Sequence, residues 1–145
     1  MSGTDGCQAF FHDFRVREAR ELAPDYTSTR LTIDVYCLQH PDRYCVSAKS
    51  LAAHLTGVAW SLEYGGGERG LRILQRWLNS PGDLIKPAVP PLRGALTIAD
   101  VAAATTAGDY AVRLRRWAES TWAAYGPLQN VARAWIAAAL RGSSP

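Results

Sequence analysis

The stretch Leu31-Thr32-Ile33-Asp34-Val35-Tyr36-Cys37-Leu38-Gln39-His40-Pro41 holds the residues of this chain best suited to proton transfer. Apolar side chains surround Asp34 on nearly every side of the helix that this stretch predicts. An unpaired buried carboxylate is costly, so Asp34 needs a partner or a raised pKa. Arg30, one turn earlier, is the nearest partner by helical spacing. The Arg30–Asp34 pair reads either as an internal pin that orients two helices or as a carboxylate held in a pocket for acid–base chemistry. His40 ends the same helix, where the dipole favours an imidazolium and Pro41 fixes the exit. It reads as a cap or as a proton carrier, since histidine titrates near neutrality. Tyr36 precedes it by one turn. His54 lies near the apolar stripe of the next helix. If the two helices pack antiparallel through the short loop DRYCVS, His40 and His54 share one site. The catalytic expectation is therefore Asp34 and His40, with Arg30, Tyr36 and His54 binding substrate. The third histidine, His12, lies on the first helix and is not placed relative to them.

Metal binding is a weaker expectation. Cys37, His40, Cys45 and His54 are competent ligands, but their spacing, C-x2-H-x4-C-x8-H, matches no familiar site. No cofactor is expected on the leading reading. Ser47 and Ser50 have no base arranged beside them, which argues against a hydrolase triad. Gly65-Gly66-Gly67-Glu68-Arg69-Gly70 lacks a preceding strand and a Lys-Ser/Thr ending, so it reads as a turn rather than a phosphate loop.

These groups need helices to position them. The apolar spacing predicts a first helix over Gln8 to Leu22, with Arg15, Arg17, Glu18 and Arg20 facing outward and Pro24 ending it. A second runs from Thr27 to Gln39, capped by Thr27, Ser28 or Thr29 and apolar all round, as suits the middle of a bundle. A third runs from Ser47 to Tyr64, with the stripe Leu51, Leu55, Val58 and Leu62. A fourth covers Arg69 to Leu78. Residues 79–96 hold four of the eight prolines and read as an extended surface connection. Leu84, Ile85, Val89 and Leu92 suggest that it is packed down. Thr97-Ile98-Ala99-Asp100 resembles a capping box opening a short helix to Ala104. Longer helices follow over Asp109 to Ala124 and Leu128 to Leu140. The five tryptophans (60, 77, 117, 122 and 135) read mostly as core. The fold class expected is all-α: one domain over residues 1–145, a bundle of five to six helices with a Pro-rich connection between the fourth and fifth, and flexible ends at 1–6 and 142–145.

Bulk composition excludes several classes. With 48% hydrophobic and 20% charged residues in a 145-residue chain, the sequence suits a globular domain. It has no run approaching the ~20 apolar residues of a membrane span. The start, MSGTDGCQAFF, lacks the basic and apolar regions of a secretory signal. Three cysteines, an odd count, argue against a disulfide framework. A cytoplasmic location follows as the expectation. The net charge of +3 is small, and the densest basic cluster, Arg113, Arg115 and Arg116, is flanked by Asp109 and Glu119. A solvated helix face is expected there, not a nucleic-acid site.

Leu31-Thr32, Asp34, Tyr36 and Leu38-Gln39-His40-Pro41, followed by Ala53-His54-Leu55, resemble an uncharacterised bacterial family filed as domain of unknown function 5946. Pro90 to Val101 (PPLRGALTIADV) and the stretch WAESTWAAYG are similar to it as well. The resemblance covers most of the chain and implies a fold and a site location, not an activity. Members of that family often carry an N-terminal Cys-x-x-Cys pair and a His-His pair near the final helix. This chain keeps only Cys7 at the first place and has Leu128-Gln129 at the second, which weakens any metal role that the resemblance implies.

The functional expectation is a small-molecule-binding bundle, a metal-independent enzyme using acid–base groups where helices two and three adjoin. Two alternatives stand beside it: a non-catalytic interaction module that pairs as a homodimer, and a metal-binding protein.

Overall fold

The computed structural model describes residues 5–142, and among them the regular structure is helical throughout. Eight α-helices follow in order: α1 (Asp5–Arg17), α2 (Tyr26–Gln39), α3 (Pro41–Tyr44), α4 (Ala48–Glu63), α5 (Glu68–Asn79), α6 (Ile98–Ala102), α7 (Ala107–Ala124) and α8 (Gln129–Gly142). This exceeds the five to six expected. Six are long enough to show a helical period; α3 and α6, with four and five residues, are single turns. Pro41 explains α3. It stops α2, and its fixed φ and missing N–H suit the first position of a new helix. Asp5 and Gly6 belong to α1 and Gly142 to α8; the other residues expected to be flexible lie outside those described.

Local chemistry sets most boundaries. Ser47 and Ser50 form a reciprocal capping box at α4, and Thr97 with Asp100 forms another at α6. Thr106 caps α7. At α2 the cap is Asp25, accepting from the Ser28 amide at 2.7 Å, not the threonine or serine expected. Gly65, Gly66 and Gly67 all have positive φ and end α4.

The first predicted helix is divided. Beyond Arg17 the chain widens into a π-helical turn, Glu18–Leu22, which ends at Ala23 in the left-handed region (φ 48°). Glu18, expected to face solvent, is fully buried. It pairs with Arg15 and accepts hydrogen bonds from Thr32 Oγ1 at 2.6 Å and from the Tyr110 hydroxyl. Three partners, one each from α1, α2 and α7, thus meet at one carboxylate, which fastens the end of α1 to α2 and α7. Arg17 reinforces the join by donating to the carbonyls of Ala102, at the end of α6, and Ala104, just beyond it.

The centre of the bundle is the α2–α4 pair. Thr27 near the start of α2 bonds Gly67 just past α4, and Asp34 midway bonds His54 midway along α4, so the two helices run antiparallel. Val35 and Leu38 from α2 and Leu51, Leu55 and Val58 from α4 are wholly buried between them and their neighbours. Helix α7 lies parallel to α2: Tyr110 reaches Thr32, and Trp117 Nε1 donates to Gln39 Oε1 at 2.9 Å. Helix α8 returns along α4, where Arg133 pairs with Glu63.

The Pro-rich connection is held differently from the expectation. Ile85 and Leu92 project into solvent, while Val89 rests on the core. Two backbone carbonyls, those of Arg93 and Leu96, accept from the Gln39 amide nitrogen Nε2 at 2.9 and 2.7 Å. The strap is anchored by hydrogen bonds to one side chain more than by its leucines and isoleucine. We expect Tyr110→Phe to lower unfolding stability by about 1–3 kcal/mol, because it deletes a donor to a buried carboxylate. Urea denaturation of the two proteins checks this, and an unchanged midpoint refutes it.

Candidate functional site

The end of α2 builds the site. Gln39 uses every polar atom of its amide group as described above, so the turn beyond it is fixed to α7 and to the strap. His40 is the C-cap, with φ −129° and ψ 57°, and its N–H donates to the Cys37 carbonyl at 3.1 Å. Its own carbonyl accepts from the amides of Arg43 and Tyr44 in α3. These bonds hold the backbone of His40 on both sides and aim its ring away from the α2–α4 seam.

The ring meets Cys7. His40 Nε2 lies 3.6 Å from Cys7 Sγ, and the Tyr36 hydroxyl donates to the same sulfur at 3.6 Å. Tyr36 is clamped by stacking on Phe11, with ring centroids 3.8 Å apart and planes 3° from parallel. Its ring also packs against His40 at 4.4 Å. Burial lowers the His40 pKa from its ordinary 6.5, which favours the neutral imidazole. Burial also pushes the Tyr36 hydroxyl far above its ordinary value, so it remains a donor. A neutral His40 with its lone pair on Nε2 can take the thiol proton while Tyr36 donates to the sulfur. Tyr36 and His40 thus converge on one sulfur, the arrangement of a thiol with a base beside it.

Cys7 and His40 line a cavity of about 400 Å³ between the α2–α3 turn and the strap. That volume lies in the range of small-molecule sites. Gln39, Arg43, Arg93, Gly94 and Thr97 contribute to its wall.

The second polar cluster lies elsewhere. Asp34 is 1% exposed and accepts from or shares a proton with His54 Nδ1 at 2.9 Å; Arg30 approaches the same oxygen, Oδ1, at 3.7 Å. Burial pushes the Asp34 carboxyl up, while His54 and Arg30 oppose that shift. The other oxygen, Oδ2, is buried with no hydrogen-bond partner. It sits over Gly57, where a Cβ would fall 2.0 Å away. Only a glycine lets α4 approach this carboxylate.

The residues expected to form one site therefore divide. Asp34, Arg30 and His54 meet in the α2–α4 seam; His40 and Tyr36 meet Cys7 at the cavity. No hydrogen bond or ion pair joins the two sets among the described residues. Cys37 and Cys45 are buried near the same turn, with the Cys45 thiol directed to the Cys37 carbonyl at 3.6 Å. Burial raises both thiols, Cys45 to about 12. Among the described residues no group of three or more His, Cys, Asp and Glu side chains is placed to hold a metal ion, so Cys37, His40, Cys45 and His54 do not converge. Sequence reasoning did not assign Cys7, Arg43, Arg93 or Gly57. Cys7 stands 33 residues from His40, and nothing in local spacing links the two. The one signal pointing to the strap was Gln39 beside His40.

Two outcomes follow. Gly57→Ala should destabilise the protein by about 3 kcal/mol or more, since the new methyl overlaps a buried carboxyl oxygen. Adding Asp34→Ala removes the overlap, so the double variant should be more stable than the sum of the two single changes predicts; additive losses in chemical denaturation refute this. A lowered His40 pKa means that the unfolded chain takes up a proton first as pH falls. Its contribution is present above pH 6.5, the unfolded value, and is lost as pH drops through the folded value. His40→Gln should flatten that part of the stability–pH curve, and an unchanged curve counts against a buried neutral His40.

The family model described as "Family of unknown function (DUF5946)" matches residues 1–126. No curated protein and no solved structure matches the chain. No helix among the described residues is long and apolar enough to cross a membrane. The matched span holds both polar clusters and every residue that lines the cavity, and on that span the chain belongs to the DUF5946 family.

Proposed function

We propose that this chain binds a small molecule in the cavity beside the α2–α3 turn and acts on it with Cys7 as nucleophile and His40 as base. The observation that carries the reading is the 3.6 Å approach of Cys7 Sγ to His40 Nε2 at the wall of that cavity. Three further features support it. Tyr36 donates to the sulfur, burial favours the neutral form of His40, and Gln39 fixes the turn on which His40 sits. In the reacting complex the thiol proton passes to His40, and the thiolate electron pair forms a bond to an electrophilic carbon of the ligand while that carbon's bond to its leaving group breaks and the leaving group departs with the bonding pair. Tyr36 acts as a positioning residue through its hydrogen bond to sulfur.

Asp34 has a different part in this reading. It holds His54 and Arg30 in the α2–α4 seam and so sets the register that brings His40 to the strap. It does not touch the ligand.

Limited alkylation with iodoacetamide tests the proposal. The thiolate displaces iodide, forming a C–S bond, while His40 keeps the proton. Mass spectrometry should find Cys7 modified first, ahead of Cys37 and Cys45, whose thiols burial holds protonated. His40→Ala should slow the Cys7 reaction at pH 7 by about tenfold, the order expected for losing the base beside a thiol. Equal labelling of the three cysteines, or a His40→Ala protein that reacts as fast, overturns the assignment.

A further inference from the structure

The cavity holds more charge than the thiol–imidazole pair uses. Arg43, on α3, and Arg93, on the strap, both line it, against one carboxylate, Asp42, among its described lining residues. Neither guanidinium is paired with a carboxylate in the described residues; Arg93 has only a bond to the carbonyl of its neighbour Leu92, at 3.3 Å. Elsewhere among the described residues Arg15, Arg17, Arg30, Arg72, Arg113, Arg115 and Arg133 each have a carboxylate partner within 4.0 Å.

Arg93 is also held on a fixed mount. Its carbonyl accepts from Gln39, the same side chain that fixes the turn carrying His40. The next residue, Gly94, has φ +92° and lies against α7 so closely that a Cβ would fall 2.8 Å from Ser120 Oγ and 2.9 Å from its carbonyl oxygen. Backbone at Arg93–Gly94 is therefore pinned on two sides. Arg43 follows His40 by three residues, and its amide is bonded to the His40 carbonyl. The backbones that carry both guanidiniums are thereby tied to the framework that places the reactive pair.

Resting on the thiol–imidazole reading, we infer that the cavity takes a small molecule bearing a carboxylate or phosphate group, bound between Arg43 and Arg93 while its electrophilic carbon faces Cys7. Planar guanidinium groups match both anions through paired N–H donors. A pocket of about 400 Å³ accommodates a molecule of that size.

Iodoacetate and iodoacetamide test this, because they differ in little but one negative charge. The quantity read is the ratio of their rates at Cys7, with the same ratio in the urea-unfolded chain as reference. The folded protein should favour iodoacetate by about tenfold over that reference, the scale of one charge-assisted hydrogen bond. Arg43→Gln and Arg93→Gln should each bring the ratio back toward the reference, with thermal melts showing that each variant is folded. Arg43 is exposed, so its variant keeps the test sound if Arg93→Gln does not fold. A folded ratio equal to the reference overturns the inference, as does a raised ratio that survives the arginine substitutions. In either of those cases continued fast reaction with iodoacetamide leaves the Cys7–His40 reading standing. If Cys7 reacts with neither reagent, that reading falls and this one with it.

Discussion

The carboxylate of Asp34, buried between α2 and α4, is the constraint around which the rest of the bundle is arranged. One of its oxygens is held by His54 and Arg30, and the other lies against the backbone of α4 at Gly57. A carboxyl group in that position is tolerated only at one register of the two helices. A slide by one turn would move the imidazole away and bring a side chain onto Oδ2. Hydrophobic contacts alone, from Val35, Leu38, Leu51, Leu55 and Val58, are non-directional and would permit several registers. The polar contact selects among them, the use of buried polar groups that the energetics best support.

From that register the site follows mechanically. With α2 fixed, its C-terminal turn presents Gln39 toward the strap and α7, and His40 toward α1. Gln39 then connects three segments through Arg93, Leu96 and Trp117. Glu18 does the equivalent at the other end of the molecule, joining the π-helical turn to Thr32 and Tyr110. Two polar hubs, a buried carboxylate and a half-buried amide, thus brace α2 along its length, each through partners that include residues distant in sequence. The cavity lies where the second hub holds the strap away from the α2–α3 turn.

Reactivity and stability are separated in this arrangement. The groups that fix helix register, Asp34, His54 and Gly57, lie apart from the groups that meet the cavity, Cys7, His40 and Tyr36. A change in the seam is felt as stability first, and a change at Cys7 as reactivity. The three thiols illustrate the same division. All three are buried, but burial raises the Cys37 and Cys45 thiols, whereas Cys7 borders the cavity with an imidazole and a phenol hydroxyl at its sulfur.

The sequence by itself determined the helical class, the long helices and many of their caps. Apolar spacing and capping chemistry act within a few residues: Ser47 with Ser50, Thr97 with Asp100, the three glycines after α4, and the Arg30–Asp34 spacing were all legible. The single turn α3 was not, because four residues are too brief to show a period, whereas the equally short α6 was announced by its capping box. Nor was Glu18 read as buried, since its partners Thr32 and Tyr110 are 14 and 92 residues away. Tertiary structure alone decided that His54, not His40, meets Asp34, and that His40 meets Cys7. Both pairings depend on how whole helices are placed against one another, and that placement is set by the summed packing of side chains from distant parts of the chain. A local pattern carries no record of it.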